Sequence, residues 1–175
     1  MSNNITYSET VKEAIAQTIF KLLETKTLNK ISISEICETA GVSRISFYRN
    51  FNSKEEALKY YIESCYNNYF KDKDIQYKNN THFDINNFLY LRFHFIKEYR
   101  YYFTILRKHH LLQYLFEELD PHLSQVLSGV QMHDSYQKAM FASCSAAVIR
   151  QWIDNDFKES EIDMVHMFRK IKIDK

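Results

Sequence analysis

Apolar residues return every three or four positions near the start of the chain. Val11, Ile15, Ile19, Leu22 and Leu23 share one helical face, while Lys12, Glu13, Lys21 and Glu24 fall outside it. This spacing predicts an amphipathic helix over residues 9–25, with Ser8 as its N-cap. After a polar connection over 26–30, Ile31-Ser32-Ile33-Ser34 alternates as a strand would. Ser34-Glu35-Ile36-Cys37 reads better as a helix start, so a short helix is expected over 34–39, ending at Ala40-Gly41. Gly41 suits the left-handed position just past a helix end. Ser43 then caps a second short helix over 44–49. Asn52 or Ser53 caps a longer one over 54–71, with Glu55 and Glu56 at the positive end of its dipole. Leu58, Tyr61, Ile62, Cys65 and Tyr69 line one face of that helix. Beyond a polar stretch over 72–84, the pattern predicts helices over 84–99, 101–109 and 111–119, with Pro121 starting a continuation or marking a kink. Helices over 134–156 and 159–172 close the chain.

Composition sharpens this to an all-α fold. The 175 residues include two glycines, Gly41 and Gly129, and one proline. Phosphate-cradling loops need clustered glycines and hairpin-rich sheets need turn glycines, so dinucleotide-binding, P-loop and β-rich folds are excluded. Apolar residues make up 45% and charged residues 26%, a balance that suits a globular domain. Cys37, Cys65 and Cys144 form neither a disulfide framework nor a zinc spacing. The polar N-terminus has no signal-peptide core, and no apolar run is long enough to span a membrane, so a soluble, cytoplasmic protein is expected.

The net charge is only +1, so no global basic field marks the chain as a nucleic-acid binder. Its distribution is more telling. No acid occurs between Glu38 and Glu55, and Arg44, Arg49 and Lys54 all lie in that gap. The same stretch holds two short helices joined by a glycine turn, a helix-turn-helix candidate over 31–50 whose second helix would enter the major groove. Hairpins of this kind also occur as plain scaffolding, and three cations in a short stretch also suit a solvated face.

The residues themselves decide between these readings. The run from Ile31 to Glu56 closely resembles the DNA-binding segment of TetR-family transcriptional regulators. The match lies in its hydroxyl-rich helix start, Ala40-Gly41-Val42-Ser43 at the turn, Phe47-Tyr48-Arg49-Asn50-Phe51, and Ser53-Lys54-Glu55-Glu56. The resemblance covers about residues 8–63. It implies a DNA-binding domain over 1–53 and a helical effector-binding and dimerisation domain over 54–175. It implies phosphate contacts for Ser32, Ser34 and Tyr48, base or phosphate contacts for Ser43, Arg44 and Ser46, and a DNA-binding role for Lys54 at the opening of the fourth helix. Arg49 joins them from the acid-free stretch, whereas Val42, Phe47 and Phe51 match core positions. Ile45 and Asn50 depart from the family pattern, with glycine frequent at the first position and histidine or tyrosine at the second. Ile45 has two orientations open to it, outward toward a thymine methyl group or inward to the core.

One small recognition helix makes few contacts, so a homodimer on an inverted-repeat operator is expected, with half-sites about 34–36 Å apart. Ala139, Ala142, Ser143, Ala146 and Ala147 form a small-residue stripe, with Phe141, Cys144, Val148 and Trp152 beside it. The resemblance implies dimerisation through the last two helices, so the small stripe and Trp152 are the candidate interface. The alternative is that both stripes are core. Residues 88–116 are dense in aromatics. Phe93, His94, Tyr102, Phe103, His110 and Tyr114 are candidates for an effector pocket, with a plain aromatic core the alternative.

His109 and His110 point about 100° apart on a helix and cannot clamp one ion, and no paired ligand spacing occurs, so no metal and no cofactor are expected. No nucleophile elbow is present, so catalysis is not expected. The functional expectation is a DNA-binding transcriptional repressor released by a small-molecule effector. The alternative is an activator or co-regulator acting through a protein partner.

Overall fold

The computed structural model describes residues 7–72, 85–113 and 135–170. Among them lie eight α-helices: α1 (Tyr7–Leu23), α2 (Ile33–Ala40), α3 (Arg44–Asn50), α4 (Lys54–Asp72), α5 (Ile85–Glu98), α6 (Arg100–Lys108), α7 (Ser135–Asp154) and α8 (Glu161–Lys170). No strand occurs among the described residues. The helix expected over 111–119 and the kink at Pro121 fall almost wholly outside them.

Local capping chemistry sets the first four elements. The strand-like Ile31–Ser34 alternation is resolved by Ser32, whose hydroxyl accepts from the Glu35 amide at 3.1 Å. Ser32 is therefore the N-cap of α2, which begins at Ile33, one residue earlier than the sequence reading. Gly41 takes φ 68° and ends α2, its amide donating to the Cys37 and Glu38 carbonyls. That backbone conformation strains any residue with a Cβ. Ser43 caps α3 by accepting from the Ser46 amide at 3.0 Å. Ser53, not Asn52, caps α4, accepting from the Glu56 amide at 3.1 Å. Glu56 in turn accepts from the Asn52 amide at 2.6 Å. The first bond fills a donor that a helix start leaves unpaired, and the second ties the residue before the cap to the same turn.

The N-terminal core forms where α1 packs on α2, α3 and α4. Ile15, Ile19, Phe20 and Leu23 from α1 meet Ile36, Phe47, Phe51, Leu58 and Ile62, all fully or nearly buried. Farther along, α5 packs on α8 and α6 packs on α7. Trp152 anchors this part of the core at 1% exposure, with its ring 5.4 Å from that of Phe93 and 5.3 Å from that of Phe157.

Helix α6 also reaches back to α1. A helix C-terminus exposes carbonyls with no partner in the helix, and cationic side chains cap them well. His109 Nε2 donates to the Leu23 carbonyl at 2.6 Å, and Lys108 Nζ to the Glu24 carbonyl at 3.1 Å. Tyr101 donates to the Glu24 carboxylate. Arg107 does the same for α7, donating to the Ile153 carbonyl at 2.6 Å and pairing with Asp156 at 2.7 Å. The end of α6 thus ties the first helix of the chain to the end of α7. Deeper in, Gln17 of α1 donates to the Tyr61 hydroxyl of α4, which shares a 2.8 Å hydrogen bond with the Tyr102 hydroxyl of α6.

Candidate nucleic-acid interface

Helix α3 is held by one side and presents the other. Phe47 is fully buried, while Arg44, Ile45, Tyr48 and Arg49 are exposed. At about 100° per residue, Ile45 and Arg49 lie roughly opposite Phe47, with Arg44 and Tyr48 on one flank. The other flank is engaged within the protein. The Asn50 amide group donates to the Ser46 carbonyl at 2.7 Å, and Ser8 of α1 donates to the Asn50 side-chain oxygen at 3.1 Å. The Ser46 hydroxyl accepts from Ser43 at 3.1 Å and is half-buried. The departure at Asn50 therefore supports α3 from behind.

The outward group has the chemistry of a duplex DNA partner. Guanidiniums and a phenol suit phosphates and base edges. Ser32 and Ser34 are exposed at the start of α2. The Ser32 hydroxyl accepts one backbone bond and keeps its own O–H to donate. Burial pushes the Cys37 thiol up, and the nearby Arg44 charge opposes that rise. The thiol is thereby kept as a neutral core group beneath the cationic rim.

Lys54 differs from its sequence reading. Its ammonium is half-buried and donates to the Leu28 carbonyl at 2.7 Å and the Ile31 carbonyl at 2.8 Å. Those carbonyls belong to the turn between α1 and α2, so Lys54 fixes the helix-turn-helix against α4. No local pattern marks this role, because the accepting carbonyls lie 26 and 23 residues earlier.

On α7, Ala139, Ser143 and Ala147 are exposed and Ala142 and Ala146 half-buried. Trp152 leaves the candidate interface: it lies inside the protomer core, and its indole N–H donates to the Glu159 carbonyl at 3.1 Å. Two exposed side chains missed in the sequence join this face, Tyr136 and Met140 of α7, and Ile162 and Met167 of α8 are exposed as well. The signal was present, because Tyr136, Met140, Ser143 and Ala147 repeat at spacings of four, three and four.

The candidate pocket residues do not converge. Phe93 and Phe103 are fully buried in the core, and Tyr102 is held by Tyr61. His94 bonds Tyr69 at 2.8 Å and borders a cavity of about 330 Å³ with Lys97, Glu98, Arg100 and Glu161. His110 borders a separate cavity of about 290 Å³ with Arg107, Leu112, Gln113, Arg150 and Asp154. Tyr114 lies outside the described residues. The rings pack against one another instead, as in Phe95 against Tyr99 at 4.9 Å and Phe103 at 5.8 Å. Among the described residues, no group of three histidine, cysteine or carboxylate side chains is placed to hold a metal ion. None of the described helices is long and apolar enough to cross a membrane.

Comparison with known proteins agrees with this geometry. The model of bacterial regulatory proteins of the tetR family matches residues 15–60, and that of a transcriptional regulator C-terminal region matches residues 84–174, more than half of the chain. No curated protein gives a match. Among solved structures, Lin0861 from Listeria innocua is 15% identical with a TM-score of 0.77, covering 97% of this chain and 93% of its own. The fatty acid degradation regulator FadR from Bacillus halodurans is 16% identical with a TM-score of 0.61, over 92% and 93% of the two chains. The TetR family repressor AlkX from Dietzia sp., implicated in biodegradation of n-alkanes, is 19% identical with a TM-score of 0.59, over 97% and 95%. Identities this low speak for the fold alone, but the two matching family models place the sequence as well, and the chain belongs to the TetR family of transcriptional regulators.

Proposed function

We propose that this DNA-binding regulator is a cytoplasmic homodimeric repressor that recognises an inverted-repeat operator and is released by a small-molecule effector. The observation that carries the reading is the outward face of α3. Two guanidiniums, a phenol and one apolar side chain stand together on a rigid, serine-capped helix with no acid between Glu38 and Glu55. A repressor needs only to occupy its operator, which a DNA-reading face by itself can do.

Release requires a coupling free energy between an effector site and α3, typically about 1–3 kcal/mol. The contacts favour α6 as a carrier beside α4. Its last turn holds the C-terminal end of α1 through His109 and Lys108 and the end of α7 through Arg107. A shift of α6 would therefore tilt α1, and with it the half-site spacing.

Selection of bound sequences from random duplex DNA tests the reading. Enrichment of an inverted repeat is the expected outcome, with a reporter gene behind that sequence silenced by the protein. Binding without any sequence enrichment would overturn sequence-specific recognition, and a reporter raised by the protein would overturn the repressor sign.

A further inference from the structure

Ile45 is 72% exposed on α3. A β-branched apolar side chain in water gains nothing from burial and is a modest helix former, so neither the core nor the helix explains it. Its neighbours narrow what covers it. Arg49 stands beside it on the same crest, Arg44 and Tyr48 occupy one flank, and the polar groups on the other flank, Ser46 and Asn50, already bond Ser43 and Ser8. A protein partner covering Ile45 would have to bury two guanidiniums along with it, with no acid of this segment to pair them. The major groove of duplex DNA places phosphates on both sides of a base-lined floor, and so accepts cations and an apolar tip together.

On that floor the apolar group that distinguishes one base pair from another is the thymine C5-methyl. Ile45 has no donor or acceptor in its side chain, so that methyl group is the feature of a base open to it. Resting on the reading of α3 as the DNA-recognition helix, we propose that Ile45 selects a thymine at a fixed position of each operator half-site. Arg44 and Arg49 supply the polar contacts around it.

The experiment uses the selected operator and changes the DNA before the protein. Each thymine of a half-site is replaced in turn by deoxyuridine, which deletes the methyl group and keeps every hydrogen-bonding atom. At one position the wild-type protein should lose about fourfold in affinity per half-site, the equivalent of one buried methyl group, and roughly fifteenfold when both half-sites are changed. The Ile45→Ala variant should bind the thymine and uracil operators equally. Its exposed position leaves folding unchanged, which a thermal melt verifies. An operator on which no thymine-to-uracil change separates wild type from Ile45→Ala overturns the inference and leaves DNA recognition intact. Failure to enrich any operator overturns the recognition reading beneath it as well.

Discussion

Two exposed helical faces on this chain both carry apolar side chains, and their surroundings make them different objects. On α3, Ile45 sits among Arg44, Tyr48 and Arg49. On α7, Tyr136 at 78% exposure and Met140 at 61% sit among Ala139, Ser143 and Ala147. Covering the first face with protein would strip water from unpaired cations, at high cost. A polyanion would supply the missing charge. Covering the second face costs little polar desolvation, and its small residues let another helix approach closely. The charge field around an exposed apolar residue thus decides what can cover it. On the proposed function, the first face takes a duplex and the second a copy of the chain.

The most forceful way to break this comparison is to put the same carboxylate on each face. Ala147→Glu should set like charges across a twofold interface, at a cost of several kcal/mol. Sedimentation equilibrium should then report a single chain where the wild type reports two. Ile45→Glu should leave the dimer intact and remove operator binding by facing the phosphates with an anion. If the two variants exchange phenotypes, the assignment of the faces is wrong.

A smaller effect separates support from recognition within the DNA-binding region. Lys54→Met removes two charge-assisted bonds to the Leu28 and Ile31 carbonyls and should lower unfolding stability by about 2 kcal/mol, read from urea denaturation. The salt dependence of operator binding should keep its slope. Arg44→Ala should do the reverse, changing stability by under ~0.5 kcal/mol and weakening operator binding by about 1–3 kcal/mol with relaxed base preference. If Arg44 touches only phosphate, the salt slope falls by about one and specificity stays.

The smallest expected effect lies away from both faces, at the ion pair joining α5 to α8. Burial raises the Glu161 carboxyl, but the hydrogen bond and charge of Lys97 at 2.8 Å outweigh it and bring it below its ordinary value of 4.5. A carboxyl held lower in the folded state than in the unfolded chain adds stability above the unfolded value. That contribution is lost as pH falls through the folded one. The pair, part-buried but still open to solvent, should contribute about 0.5 kcal/mol above pH 4.5, vanishing under acid, and Lys97→Met should flatten that part of the stability profile.

What the sequence made legible follows from how local each cause is. Gly41 ending α2 and Ser43 capping α3 depend on residues within one helical turn, and spacing alone reveals them, while Phe47 and Phe51 turn inward as the family resemblance implies. The orientation of Ile45 stayed open, because a short helix leaves its bounds and tilt unsettled, and the packing of Phe47 beneath α3 turns Ile45 outward. Lys54 looked like a surface cation until the fold brought the Leu28 and Ile31 carbonyls to it. The clasp of Lys108 and His109 on the end of α1 joins positions 84 and 86 residues apart, beyond any local pattern. Trp152 was misassigned because α7 carries apolar residues on two sides, and the side facing Phe93 and Phe157 takes the large ring. The aromatic stretch was ambiguous for the same reason, since the rings that would line a pocket also fill a core.

On the proposed function, two α3 helices, carried by two chains joined through α7 and α8, read one duplex together. Hydroxyl-radical footprinting of the selected operator, paired with the mass of the complex, tests it most directly. Two chains per duplex and two protected patches centred about 34–36 Å apart, one helical turn, are expected. A single protected patch with one chain bound would contradict it.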